Sequence, residues 1–588
     1  MAAILLFFTI ISIYPLNPKP LFSETSPPYI SQNRYRTNGL TSIISCKVGG
    51  NDDSHSPKRT NSINDENSFM LNRRNILVGL GSLCGGTTTT FPSGSNTLFA
   101  APVSIDFSSC DSTDDTAGHQ CCPPTPRNIV DFKPDSNQVL RLRPAAHLVN
   151  DEYLDKYSKA INMMKNLPED DPRNFFQQAN IHCAFCEGGH YHQLGFPNLD
   201  FLVHHSWLFF PFHRCFLYFY ERILGKLIDD PSFALPFWNW DHPDGMYMPS
   251  MYTNPSSSLY DPLRHHSHLP PTLIDLSYDG IDNNDDLTPK QLIASNLAIM
   301  HRQMVSNSKN PTSFFGQAYR AGDEQPKGSG TIEIMPHNTV HRWTGDPTQP
   351  NREDMGTLYA AARDPIFFAH HANVDRMWTI WKTLGGKRKD IQDPDWLNVS
   401  FLFYDENAQP VRIRIRDCLD NKKLGYVYQD VDIPWINQKP NNASKFRPST
   451  TSRITFPTRL DSTIRTRVVR QQTSRTKKQK EDEEEVLTIN VELLRVDMFI
   501  KFDVYINEED DYPRKMSRLN TEYAGSFVSL PDSHRQRKTT KKTSFMLGLT
   551  DLLQDLGVDG DDSIMVVMVP IAGSESLILT DVKIEFIS

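Results

Sequence analysis

The chain has 588 residues, enough for two or three domains and at least one large buried core. Nothing in a net charge of −9 with 22% charged residues suggests nucleic acid as a partner, since a phosphate-binding domain usually shows a basic face. Cysteines bunch at Cys110, Cys121, Cys122, Cys183 and Cys186, and the adjacent pair Cys121 and Cys122 reads as anchors of two disulfides made in an oxidising compartment.

Residues 1–100 read as an address. Much of Ser23 to Ser68 is rich in Ser, Thr and Asn with scattered basic residues, as in organelle transit peptides. Arg73-Arg74 then precedes the apolar run Ile76 to Gly81 and small residues ending at Ala100-Ala101, a twin-arginine export pattern with a cleavage site. The two signals in series predict the chloroplast thylakoid lumen. The apolar stretch 2–13 keeps a secretory or vacuolar destination as the alternative. Past residue 100 no segment has the run of about eighteen apolar residues a span needs, so no stable membrane insertion is expected after processing.

From Asp106 to about Lys439, helical and loop signals alternate. The aromatic run from Trp207 to Tyr220 is apolar nearly all round and predicts a central buried helix, with Pro211 in its first turn or at a kink. Asp364-Pro365 opens a second helix, on which His371, Asp375 and Trp378 share one face. The Arg-, Lys- and Ser/Thr-rich stretch 441–485 predicts an exposed, protease-sensitive linker. Beyond it, the runs 486–491, 499–506 and 563–569 predict a small antiparallel β domain. The fold class is therefore a mainly α catalytic domain with a central helical bundle, plus a C-terminal antiparallel β-sandwich-like domain.

The histidines carry the chemistry. His337 and His341 form an HxxxH pair able to share a metal on one helix face, and Asn338 stands where a zinc protease needs Glu. His370-His371, His182, His204-His205 and His213 also fall in apolar segments, where imidazoles without partners are costly. Ligation by imidazole alone suits copper among the common metals, and two sets of three would make two neighbouring sites.

Four stretches then resemble the plant polyphenol oxidases: residues 209–214, 235–241, 335–338 and 370–376. Asp395-Trp396-Leu397 and Lys501-Phe502-Asp503-Val504 are similar to that family's later motifs, so the resemblance covers nearly the whole chain. It implies a tyrosinase-type dicopper catalytic domain at 101–389, a DWL segment packed on it at 390–440, the linker at 441–485, and a shielding KFDV domain at 486–588. It also implies a type 3 centre of two copper ions, with O2 as co-substrate. One copper takes His182, His204 and His213; the other takes His337, His341 and His371. His205 and His370 are left as structural neighbours. Further implications are a thioether between Cys186 and His204, and disulfides Cys110–Cys122 and Cys121–Cys183. Glu333 would hold a water near the metals, with Asn338 helping to orient it. Leu358 would be a small gate over the second copper, and Arg342 would attract carboxylated phenols.

The implied activity is catechol oxidation: o-diphenols become o-quinones while O2 becomes water, in a chain made as a latent proenzyme. The Glu333/Asn338 pair adds monophenol hydroxylation. Expected partners are small phenols, with the chain a monomer or weak oligomer. Three alternatives remain: a biosynthetic oxidase or hydroxylase for one specialised phenolic, which shares all the ligands; a haemocyanin-like oxygen carrier, which uses similar copper chemistry; and a structural zinc protein.

Overall fold

A computed structural model describes residues 101–588 apart from 111–120, 135–138, 188–189, 283–286, 439–453, 509–517 and 533–539. The predicted address region, 1–100, lies outside the described residues. Helix α1 (Asp151–Lys165) begins where the Asn150 side chain accepts the Tyr153 N–H, and Asp151 and Glu152 favour the positive end of its first turn. Helix α2 (Phe175–Cys186) is capped in the same way by Asn174. Helix α3 (Phe209–Leu227) is the predicted aromatic helix and is buried from Phe209 through Glu221. Pro211 is its third residue, where the missing N–H would have had no partner within the helix.

Helix α4 (Pro289–His301) starts on a Thr288/Gln291 capping box. Helix α5 (Asn338–Thr344) follows directly on a wider turn, Glu333–His337. Helix α6 (Ile366–Trp381) begins where the Asp364 carboxylate accepts the Ile366 N–H at 2.9 Å, as Asp364-Pro365 predicts.

A buried charge locks α3 to α6. The Asp375 carboxylate accepts Arg214 Nε at 2.6 Å and the hydroxyls of Tyr426 and Tyr428 at 2.6 Å each. Burial pushes that carboxyl up, but the Arg214 and Arg143 guanidiniums outweigh it and hold it below its usual range. The two tyrosines belong to the middle segment, whose strands β1 (Ser400–Tyr404) and β2 (Pro410–Arg414) pair antiparallel. Phe401 meets Phe212 of α3 with ring centroids 5.4 Å apart, and Trp396 Nε1 donates to the Trp207 carbonyl at 2.9 Å.

The C-terminal strands are β3 (Thr458–Arg459), β4 (Ile464–Val469), β5 (Glu484–Leu493), β6 (Ile500–Ile506), β7 (Tyr523–Ser529), β8 (Lys541–Gly548), β9 (Ser563–Ala572) and β10 (Leu577–Ile587). They form two four-stranded sheets in the orders β4-β9-β6-β7 and β8-β5-β10-β3, with every pairing antiparallel. Phe502 and Phe527 of one sheet meet Phe545 of the other at 6.2 and 5.9 Å, so a shared aromatic core lies between the sheets.

One boundary needs correction. Most of 441–485, expected as an exposed linker, is folded: β3, β4 and a short helix (Lys477–Asp482) lie within it. Composition misled because β4 is buried on alternate residues only, its Arg465 and Arg467 interleaving with Ile464, Thr466 and Val468. Residues 441–453 of that span lie outside the described residues. Among the described residues, no helix is long and apolar enough to cross a membrane.

Candidate metal centre

Four helices, a turn and a loop bring the predicted histidines together. His182 comes from α2, His213 from α3, His371 from α6, and His337 and His341 from the ends of the turn and helix at 333–344. His204 comes from the loop before α3. Donor atoms of His182, Cys186, His204 and His213 lie within 4.8 Å of one another, and so do those of His337, His341, His370 and His371; all eight residues are buried. The two groups adjoin, for the rings of His213 and His371 stack with centroids 4.2 Å apart.

Backbone carbonyls set which nitrogen faces inward. His213 Nδ1 lies 2.8 Å from the Phe209 carbonyl, His337 Nδ1 3.1 Å from the Glu333 carbonyl, and His341 Nδ1 2.8 Å from the Met355 carbonyl. A carbonyl only accepts, so each Nδ1 carries the proton and each Nε2 keeps its lone pair. Those lone pairs converge: His341 Nε2 is 3.1 Å from His337 Nε2 and 3.3 Å from His371 Nε2. In the other group, the Nε2 atoms of His182, His204 and His213 are buried without hydrogen-bond partners. Burial pushes His182, His213, His337 and His371 far below the usual imidazole range, and His341 down to about 3, so these rings are neutral. Converging lone pairs on buried neutral imidazoles repel one another unless a cation lies among them. The donor set therefore fits two metal ions.

The doublets separate on the same grounds. His370 Nδ1 accepts the Trp240 indole N–H at 3.2 Å, which places that ring's proton on Nε2. His205 turns away: its φ is +63°, its Nδ1 lies 3.0 Å from Ser329 Oγ, and its N–H donates to Glu333 Oε1 at 2.6 Å. Glu333 Oε1 also lies 3.2 Å from His204 Nδ1, while its Oε2 is buried with no hydrogen-bond partner. Cys186 stands one helical turn after His182 as a buried thiol, and burial pushes its pKa up. Cys110 is joined to Cys122, and Cys121 to Cys183, so one disulfide anchors the helix that carries His182.

The C-terminal domain covers the centre. Leu493, Val496 and Leu530 close on His204, Asn338 and Leu358, leaving a cavity of about 10 Å³, room for one water at most. Asn338 Nδ2 donates to the Val528 carbonyl at 3.0 Å, a role its sequence position alone does not suggest. Arg342, expected to draw carboxylated phenols, lies with its guanidinium 4.6 Å from the Phe499 ring centroid, so in the intact chain it packs against the C-terminal domain. Lys501 and Arg518 also tie that domain to the catalytic domain. Lys501 Nζ donates to the Ser277 carbonyl, Arg518 Nη1 to Ser277 Oγ at 2.7 Å, and Arg518 is paired with Asp503 at 2.9 Å.

Two facing clusters of buried imidazoles on a helical core define the type 3 dicopper proteins. Residues 172–384 match the common central domain of tyrosinase, 390–441 the polyphenol oxidase middle domain, and 456–586 the chloroplastic polyphenol oxidase C-terminal domain. A chloroplastic polyphenol oxidase of Malus domestica is 49% identical, with 98% of each chain covered, and aureusidin synthase of Antirrhinum majus is 49% identical over 88% of this chain and 94% of its own. The structure of latent apple tyrosinase superposes with a TM-score of 0.74 at 54% identity, covering 78% of this chain and all of the other (100%). The chain belongs to the plant polyphenol oxidases, and its two histidine clusters form their type 3 dicopper site.

Proposed function

We propose that this polyphenol oxidase oxidises o-diphenols to o-quinones, reducing O2 to water, and that the intact chain is latent. The observation that carries this reading is the pair of buried, neutral imidazole clusters beneath a domain that fills the approach to them. His182, His204 and His213 hold one copper; His337, His341 and His371 hold the other. Two coppers bound there supply a two-electron couple, matching the two electrons a catechol loses and the chemistry of O2. The chain does the rest. Carbonyl contacts fix each Nδ1 proton so that Nε2 faces the metal, and the aromatic walls formed by Phe209 and Phe367 exclude water.

Glu333 Oε2 is buried beside His204 without a hydrogen-bond partner, and it is the proton acceptor for an incoming phenol. Asn338 orients the water or phenol that Glu333 meets once its amide is released from Val528. With both in place, monophenol hydroxylation falls within the site's reach. Leu358 is the gate residue of the opened pocket. Cys186 Sγ bonds to a ring carbon of His204, a step that removes two hydrogens with O2 as oxidant at the loaded site and fixes that imidazole against rotation.

The Malus domestica relative is a chloroplastic enzyme, and the twin-arginine pattern at Arg73-Arg74 supports the thylakoid lumen for this chain's mature form. The domain limits of this reading are catalytic to 389, the DWL segment over 390–440, and a shielding domain from about Thr458 onward, the last supported by the strand that begins there. The deciding experiment is a kinetic panel of mono- and diphenols on copper-loaded protein freed of its C-terminal domain. Oxygen uptake with quinone formation from catechols is expected. Reversible O2 binding without quinone would overturn the reading in favour of a carrier, and turnover of one specialised phenolic alone in favour of a biosynthetic oxidase.

A further inference from the structure

A second kind of metal-ligating cluster lies outside the dicopper site. His265 and His268 are buried, at 3% and 5% exposure, with their rings stacked 3.7 Å apart between centroids. Both aim at one carboxylate. His265 Nε2 is 2.8 Å from Asp282 Oδ2, and His268 Nε2 is 3.1 Å from Asp282 Oδ1.

The tautomer makes this arrangement hard to explain without a cation. His268 Nδ1 lies 2.6 Å from the Trp343 carbonyl, so it carries the ring's proton. A neutral His268 then turns a bare lone pair toward Asp282 Oδ1, an oxygen already accepting the Tyr278 hydroxyl at 2.8 Å. His265 Nε2 is buried and makes no hydrogen bond despite its closeness to the carboxylate. Protonating His268 alone would let its Nε2 donate to Asp282, but burial opposes that charge, and protonating both rings would stack two positive charges face to face. Burial pushes both imidazoles toward the neutral form, His268 down to about 4.

We propose that His265, His268 and Asp282 form a third metal site, suited to zinc(II). Two imidazoles and one carboxylate are an established zinc donor set, and Asp282, which is 36% exposed, leaves a fourth position for water. Zinc bonds of about 2.0–2.1 Å require donor atoms about 3.3 Å apart in a tetrahedron, and the donor atoms of the three residues already lie within 4.8 Å of one another. The site sits at a joint. His265 N–H donates to the Thr344 carbonyl at 2.9 Å, at the end of the helix carrying His341, and the enclosed loop presents Ser277 to Lys501 and Arg518. A metal here would staple the loop on which the C-terminal domain docks.

The test uses the full chain with both coppers loaded. The protein is equilibrated with zinc, desalted and analysed for both metals, beside Asp282→Asn and His268→Gln. Wild type should retain one zinc beyond its two coppers, and each variant should retain none while keeping both coppers. Three results overturn the proposal: no retained zinc, equal zinc on Asp282→Asn, or zinc gained only as copper is lost. Asp282 is at the surface, so its variant keeps the test decisive even if His268→Gln fails to fold.

Discussion

The side-chain amide of Asn338 donates to the backbone carbonyl of Val528 at 3.0 Å, tying the residue after His337 to β7, an edge strand of the C-terminal domain. Asn338 cannot hold that carbonyl and orient a phenol or water together. Latency is thus built into a polar contact as well as into the apolar plug of Leu493, Val496 and Leu530.

Cutting the chain within 439–453, where Lys445 and Arg453 suit a trypsin-like protease, and removing the C-terminal domain should raise catechol oxidation severalfold at equal copper content. Asn338→Ala, which loses the contact to Val528, should show a smaller gain for diphenols on cleavage and depressed monophenol hydroxylation in the opened enzyme. Oxygen-electrode rates before and after cleavage decide it; identical rates would refute the shield.

His213→Ala or His371→Ala should remove one copper and all diphenol oxidation, since the reaction needs both metals. His370→Gln and His205→Ala should keep two coppers, because Trp240 occupies the lone pair of one ring and the other faces Ser329. Metal analysis of the four purified variants tests the assignment. Loss of copper from His370→Gln with retention in His371→Ala would reverse it.

The peptides bearing Cys186 and His204 should travel as one cross-linked species, two hydrogens lighter than their sum and stable to reducing agent. Burial keeps the thiol protonated, so the bond should form only on copper loading in the presence of O2. An alkylatable Cys186 in loaded enzyme would count against the cross-link.

Two buried carboxyls give the domain contact opposite pH slopes. Glu484 is pushed up from 4.5 to about 7 by burial, Lys309 only partly offsetting it. Its folded pKa is raised, so its contribution is complete below 4.5 and fades as pH rises through about 7, a loss of up to about 3 kcal/mol. Asp503 is the reverse: burial raises it, but Arg518 and Lys501 outweigh that and hold it low, so its contribution is present above 3.8 and is lost in stronger acid. Glu484→Gln should flatten the stability decline between about pH 5 and about pH 8, measured by chemical unfolding. Asp503→Asn should move any acid activation toward neutrality. An unchanged slope in Glu484→Gln would rule out its part.

Asp375→Ala should destabilise the copper-loaded enzyme by about 3–5 kcal/mol, because it strands the fully buried Arg214 at the junction of α3, α6 and the middle segment, while Arg143 keeps Glu221 at 2.8 Å. Calorimetry should show a lower melting transition, and Asp375→Asn should recover part of it through its bonds to Tyr426 and Tyr428.

Some of this was legible in the sequence because it is local. Aromatic residues all round 207–220 can only be an interior helix, Asp364-Pro365 starts the next one, and imidazoles in apolar runs need a cation. Alternation marked the later strands as β. Local composition misread β3 and β4, since basic residues on a strand's outer face look like linker until the partner strand buries the other face. Only the tertiary structure decided which nitrogen of each ring faces inward, because that depends on carbonyls such as Met355, distant in the chain from His341. It alone set Trp240 against His370, Val528 against Asn338 and Asp282 against His265 and His268. Sequence fixes which donors and acceptors a chain carries; which of them are buried opposite one another, and so must share a proton or a metal, follows from packing.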